Sequence, residues 1–310
     1  SIAGHEPGVH IPTRNGEILI TRRQFLYGAV GLGALVAVGG GATAVSKMME
    51  NKNVETVSSL TVPSSSVVSL DGMTEVAASD HMQLIGKYEL PYGTLLWTSS
   101  DTLAACLLPT STPKPLTQIA LLNLKTGYSF TVREAAVGQS EGFEMYDVRA
   151  SEHGLIWTEA NILTDTWRIY TAIYSDGTLG PPTKVDEGDA DWETPTIAAV
   201  GGYAFWQVMP DINGTKTTSD SVLKRAAFGS EQVAVAYTST GRMCTPVYPL
   251  NDSLVITPRT KSSSTQYQMA LIDAEDMAVT DRLAIPAAMK PLEAGWGKNG
   301  FMFSFDAIYN

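Results

Sequence analysis

Five times along this chain a polar or glycine-containing turn is followed by a short apolar run, and the interval between turns hardly changes. The turns are Ser100-Asp101-Thr102, Glu152-His153-Gly154, Gly201-Gly202, Asn251-Asp252-Ser253 and Lys298-Asn299-Gly300. They precede the runs Leu103 to Leu108, Leu155 to Thr158, Tyr203 to Val208, Leu254 to Thr257 and Phe301 to Phe305. Measured from Asp101, His153, Gly202, Asp252 and Asn299, the spacings are 52, 49, 50 and 47 residues. A fixed period of this size marks a repeated supersecondary unit that cannot bury its apolar surface alone and must stack on copies of itself.

A second turn series follows the first four units, at Lys125-Thr126-Gly127, Ser175-Asp176-Gly177, Gly229-Ser230-Glu231 and Ala274-Glu275-Asp276. Apolar stretches such as Ile119 to Leu122, Ile169 to Ile173 and Met269 to Ile272 precede these turns. Each unit therefore reads as four short antiparallel strands, A to D, joined by tight hairpins. Four strands in about 50 residues, repeated round an axis, make the blades of an all-β propeller. Ile156-Trp157, Phe205-Trp206 and Met302-Phe303 hold equivalent places in strand B and are the expected core. The fifth unit ends after strand B, and Val67 to Gly72 read as a strand C and turn that would complete it, unless further blades exist. A β-sandwich is the alternative for short strands with frequent turns. Across residues 65 to 310 the layout resembles the TolB-like bacterial propellers, with four complete blades and one partial blade.

The first 64 residues differ in kind. Thr21-Arg22-Arg23-Gln24-Phe25-Leu26 resembles the twin-arginine (Tat) export motif, and the stretch from Phe25 to Ser46 carries no charge. Ala42-Thr43-Ala44 offers the small residues of a signal-peptidase site, which places cleavage after Ala44. Residues 1–46 are accordingly the signal segment, a helix by expectation, and residues 47–64 a linker. An uncleaved membrane anchor is the alternative, because about 20 apolar residues cross a bilayer. Gly28, Gly31 and Gly33 do not form a dinucleotide loop, since no strand precedes them and no acidic residue follows at the required distance. The resemblance implies the Tat translocase as a transient partner and a periplasmic, extracellular or cell-envelope location, with membrane contact only through an uncleaved signal.

Charge narrows the partners. With 32 acidic and 21 basic residues the formal net charge is −11, which argues against nucleic acid. Cys106 and Cys244 are too few for a disulfide framework and lack zinc-ligand spacing.

The expected topology puts the A–B and C–D turns on one face and the longer B–C and D–A connections on the other. Those connections are Pro109 to Thr117, Glu159 to Thr166, Asp186 to Thr194, Met209 to Asp220 and Pro258 to Gln266. Binding normally resides in long loops on a rigid scaffold. In Asp186-Glu187-Gly188-Asp189-Ala190-Asp191-Trp192-Glu193, five carboxylates surround one tryptophan. This loop is the candidate ligand site, for a cation or a sugar against Trp192, with calcium at Asp189, Asp191 and Glu193 as a metal reading. A solvated acidic surface is the plain alternative. Glu141, Glu144 and Asp147 extend the acidic sector, and Arg259 and Lys261 place positive charge on another loop of that face.

Catalytic patterns are weaker. Gly138-Gln139-Ser140-Glu141-Gly142 matches the nucleophile-elbow string but falls between two blades, where no strand-to-helix turn is expected. His81 and His153 are the histidines beyond the signal, and His153 lies on the face opposite Ser140. Asp211-Ile212-Asn213-Gly214-Thr215 reads as a turn. Cys106 reads as inert core, and Cys244 as the opening of a strand. The expected function is an exported binding or scaffold propeller for a protein, peptide or glycan, without a resident cofactor. The alternatives are a glycoside hydrolase using a pair from Glu144, Asp147, Asp191 and Glu193, or the accessory propeller of a larger enzyme.

Overall fold

The computed structural model describes residues 8–13, 16–21, 60, 62–98, 100–260, 267–286 and 289–307. Arg22, Arg23, the uncharged stretch and Ala44 lie outside them, as does Lys261. Among the described residues no helix is long and apolar enough to cross a membrane. The first strands, β1 (Gly8–Thr13) and β2 (Gly16–Thr21), pair as an antiparallel hairpin, so both stretches are extended where a signal helix is expected, and a strand does precede Gly28.

The repeat folds as its spacing predicts, into an all-β propeller of four-stranded antiparallel blades. Blade 1 contains β3 (Leu95–Thr98), β4 (Leu103–Pro109), β5 (Thr117–Asn123) and β6 (Ser129–Arg133). Blade 2 contains β7 (Glu144–Ala150), β8 (Gly154–Asn161), β9 (Thr166–Ser175), the two-residue β10 (Thr178–Leu179) and β11 (Thr183–Gly188). Blade 3 runs through β12 (Thr196–Val200), β13 (Tyr203–Val208), β14 (Ser221–Ala227) and β15 (Ala234–Ser239). Blade 4 has β16 (Tyr248–Pro249), β17 (Ser253–Ile256), β18 (Gln268–Asp273) and β19 (Val279–Ala284). A fifth unit holds β20 (Met289–Gly297) and β21 (Gly300–Ala307), paired only with each other among the described residues. Within each unit consecutive strands are neighbours, except that in blade 2 both β10 and β11 pair with β9. The inner strands follow one another round an arc, so this is not the two-layer sandwich.

The apolar runs of strand B are continuous, rather than alternating, because both faces of each blade are covered. Trp157 packs towards blade 1 in a cluster with Ala105, Leu107 and Met145, while Ile156, one residue earlier, joins Ile197 and Trp206 towards blade 3. Phe205 continues the series into a cluster with Leu254 and Ile256 of blade 4, and Val255 turns the other way to meet Phe301, Phe303 and Phe305. Trp157 and Trp206 are fully buried, as expected of strand B. Met302 departs from that expectation. It is 37% exposed, because among the described residues no further blade covers the second face of the β20–β21 pair.

Residues 67–72 do not supply the missing strand. Ser64–Ser66 and Leu70–Gly72 form 3-10 turns. Val62 and Val67 pack onto the phenylalanine-lined cluster of blades 4 and 5, so this segment covers a face of the sheet and does not pair along its edge. Its first described residue is anchored where the Leu60 N–H donates to the Ala284 carbonyl at 3.0 Å. Farther on, Tyr88 and Leu90 pack against blade 1, with the Tyr88 hydroxyl donating to the Leu124 carbonyl. The N-terminal segment is thus a strap from the end of blade 4 to blade 1.

Candidate functional site

As expected, the A–B and C–D turns are short and the B–C and D–A connections share the other face. Several boundaries shift: Pro109 belongs to β4 and Thr117 to β5, Glu159 belongs to β8 and Thr166 to β9, and Asp186 to Gly188 belong to β11, so only residues 189–195 form that D–A connection.

On this face blade 2 carries a groove of about 610 Å³. Its floor is Trp167, whose indole lies across β11 at Gly188, where an added Cβ would fall 2.2 Å from the ring. No side chain larger than hydrogen fits there. Around it stand Glu141, Phe143, Asn161 and Arg168, with Glu187, Asp189 and Trp192, and Arg168 faces Glu187 across the paired strands at 4.0 Å.

The walls are held by specific contacts. Arg168 donates to both oxygens of Glu141, at 3.1 and 2.6 Å, and its guanidinium lies 4.0 Å from the Phe143 ring centre. These bonds hold the Glu141 carboxyl below its ordinary range and raise the Arg168 guanidinium further. Asn161 donates to the Glu141 carbonyl at 3.1 Å and accepts from the Leu163 N–H at 3.1 Å. The Thr164 and Thr166 hydroxyls bond each other at 2.8 Å. The Trp167 indole N–H donates to the Trp192 carbonyl at 3.1 Å, tying floor to wall. Over the Trp192 ring, 5.4 Å from its centre, sits the ammonium of Lys216 from the B–C connection of blade 3.

The acidic cluster of the sequence is divided among different tasks. Asp186 accepts from the Trp206 indole and the Lys224 ammonium, each at 2.7 Å, and so joins blade 2 to blade 3. Glu187 pairs with Lys184 at 2.7 Å and with Arg168 at 4.0 Å on the groove rim. Asp189 accepts the Asp191 N–H at 3.1 Å. Asp191 accepts the N–H and hydroxyl of Thr215, both at 2.8 Å, and these donors lower its carboxyl. Glu193 is ion-paired with Arg242, which also donates to the Pro210 carbonyl. The proposed calcium ligands Asp189, Asp191 and Glu193 are therefore engaged separately. Among the described residues no group of three or more His, Cys, Asp or Glu is arranged to hold a metal.

Glu144 and Asp147 do not join the groove. Glu144 is buried and accepts from the Leu116 N–H at 3.1 Å and the Gln139 amide at 2.7 Å. Asp147 pairs with Arg149, and burial pushes its carboxyl up despite that partner. Arg259 lies 5.5 Å from the Tyr267 ring centre in blade 4. Ser140 falls in a 3-10 turn between β6 and β7, with no elbow, and His153 is in an A–B turn on the opposite face. Asp211 closes a turn by accepting the Asn213 N–H at 2.7 Å. Both cysteines are free thiols: Cys106 is buried, while Cys244 lies in the connection before β16 and does not open a strand.

Sequence reasoning passed over Glu159. Its carboxylate is completely buried, and it accepts the Val137 N–H at 2.6 Å, the Gly138 N–H at 2.9 Å and the Trp157 indole N–H at 3.0 Å. The signal was a lone acid inside an apolar strand, which requires dedicated partners.

No family model matches the chain, and no curated protein matches it. Solved structures similar to it include a prolyl endopeptidase (12% identity, TM-score 0.42, covering 64% of this chain and 28% of that one). An oligogalacturonate lyase in complex with manganese is 14% identical with TM-score 0.41, over 63% of this chain and 54% of the other. The Penicillium chrysogenum alpha-L-arabinanase complexed with arabinobiose is 14% identical with TM-score 0.39, over 70% and 72%. The chain spans under a third of the endopeptidase and about half of the lyase.

Proposed function

We propose that this chain is an exported, non-catalytic binding propeller in the layout of the TolB-like proteins, and that its loop-rich face receives a ligand in the blade 2 groove. The observation that carries the reading is the groove itself. It lies where the longer connections converge, with an aromatic floor fixed by Gly188 and exposed carboxylates along one rim. Rigid blades present it, as binding surfaces on β scaffolds generally require. The carboxylates a glycosidase pair would draw on speak against catalysis, since Glu144, Asp147, Asp191 and Glu193 each hold a protein partner. Export rests on the Arg22-Arg23 motif and the uncharged stretch that follows it.

The test is an array of glycans and peptides probed with the full chain. Binding should be lost when Trp192→Ala and Asp189→Lys are introduced together, and retained when Glu152→Lys and Asp176→Lys alter the opposite face. Binding that follows the opposite-face changes, or release of cleaved product from the bound glycans, would overturn the reading.

A further inference from the structure

We propose that the connections of blade 4 and the start of β20 form a second binding site, which takes a small oxyanion, the carboxylate or phosphate group of a ligand, on Arg259 and Lys290 beside the Cys244 thiol. It belongs to blades 4 and 5, not to the blade 2 groove, and goes beyond the function proposed above.

Three segments meet there. Cys244 stands in the connection that leads into β16, and its thiol donates to the Pro291 carbonyl at 3.1 Å, which brings the start of β20 and Lys290 alongside. The Cys244 N–H donates to the Thr257 carbonyl at 3.1 Å, at the root of the connection that carries Arg259. Arg259 lies back against the first segment, since an added Cβ at Gly241 would fall 3.6 Å from its Nη1, and Arg242 is the next residue. The thiol feels this arrangement. Burial pushes it up, while Lys290, Arg259 and Arg242 all favour the thiolate and Tyr267 bonds it. Three cations from three segments therefore surround one half-buried thiol, in a chain whose net charge is −11.

What these cations already hold decides the ligand. Arg242 is taken, by Glu193 and the Pro210 carbonyl. Neither Arg259 nor Lys290 forms an ion pair among the described residues. The Arg259 Nε is buried without an acceptor, although the Tyr267 ring 5.5 Å away holds the guanidinium in place. At the same connection Gln268 is 4% exposed, and its amide donates to the Arg259 carbonyl at 3.2 Å while its Oε1 is buried without a donor. A buried N–H left without an acceptor costs free energy that a ligand oxygen recovers. A guanidinium fork with an ammonium nearby suits an oxyanion in both charge and geometry. A cationic ligand is repelled here, and a neutral one leaves Arg259 and Lys290 without a counter-charge.

Because Cys106 is buried, alkylation of the folded full chain by iodoacetamide reports on Cys244. An oxyanion seated on Arg259 and Lys290 covers the thiol and offsets two of the charges that favour its thiolate, so triglutamate or inorganic phosphate should slow the reaction. Whichever acts at the lower concentration identifies the bound group as carboxylate or phosphate. Calorimetric titration with the same probe should give an affinity that falls as ionic strength rises from about 0.05 to 0.3 M. Arg259→Gln and Lys290→Gln should each weaken binding about tenfold, the loss of one charge-assisted contact. Lys290 is exposed, so Lys290→Gln alone decides if Arg259→Gln lowers the melting temperature. Lys125→Gln with Lys298→Gln on the opposite face, and Trp192→Ala with Asp189→Lys in the blade 2 groove, should leave binding unchanged. Equal slowing by trilysine, binding that ignores the Arg259 and Lys290 changes, or no binding of either anion would overturn the inference, and none of these outcomes bears on the blade 2 groove.

Discussion

Replacing Glu159 should disturb this protein more than any other single change of charge. Both carboxylate oxygens accept: Oε1 from the Val137 N–H and the Trp157 indole, Oε2 from the Gly138 N–H. In Glu159→Gln the best orientation keeps the amide oxygen on Val137 and Trp157. The new NH2 group then confronts the Gly138 N–H, donor against donor. One buried donor loses its acceptor and two bonds lose their charge assistance, a loss of about 2–3 kcal/mol. Glu159→Ala leaves all three donors without an acceptor and opens a cavity beside Trp157, and it also removes a negative charge that favours the Arg133 guanidinium. About 3–5 kcal/mol is expected, as for other broken buried charge networks. Urea unfolding followed by tryptophan fluorescence measures both, and an unchanged slope would confine the effect to stability. Because Val137 and Gly138 lead directly into Glu141, both variants should also loosen the Glu141–Arg168 wall of the groove. A Glu159→Gln protein as stable as the parent would refute the reasoning.

Trp157→Ala and Trp206→Ala should each lose about 3–5 kcal/mol, read as a shift in denaturant midpoint, since both rings fill interfaces between blades. Gly188→Ala should destabilise by about 1–3 kcal/mol and reduce ligand binding, because its Cβ displaces the Trp167 floor. The Glu141 carboxyl, lowered by Arg168, should titrate by carbon-detected NMR below an ordinary glutamate. Its contribution is present above the unfolded pKa and is lost as pH falls through the folded value, and Arg168→Leu should restore an ordinary midpoint. Replacing Arg22 and Arg23 by lysine should block export in cell fractionation, and unchanged export would remove the twin-arginine reading.

The blades were legible because stacking buries both faces of strand B, which writes consecutive apolar residues such as Ile156-Trp157 into the sequence at a fixed interval. The strap was not legible. Val67 has the strand-forming neighbours of a β segment, but whether such a segment pairs along an edge or lies over a face depends on β20 and β21, far along the chain. The acidic loop is visible in the sequence, but the division of its carboxylates among separate partners is not. The partners that divide it, Trp206, Lys224, Thr215 and Arg242, all come from beyond that loop, and local spacing does not encode them. Glu141 and Arg168 meet only because β8 and β9 bring Arg168 beside the connection that precedes β7.

The strap also bears on when the molecule finishes folding. Each blade is a local hairpin series that can form as it leaves the ribosome, but the Leu60 N–H cannot make its bond until Ala284 has been made. The contact that joins the N-terminal segment to blade 4 spans nearly the whole propeller, and long-range closures of this kind form slowly and late. Until then, Leu60, Val62 and Val67 have nothing to pack against, because the face they cover is made last. A nascent chain therefore carries this apolar segment uncovered through most of its synthesis. The segment is hidden only when the strap closes over β20 and β21.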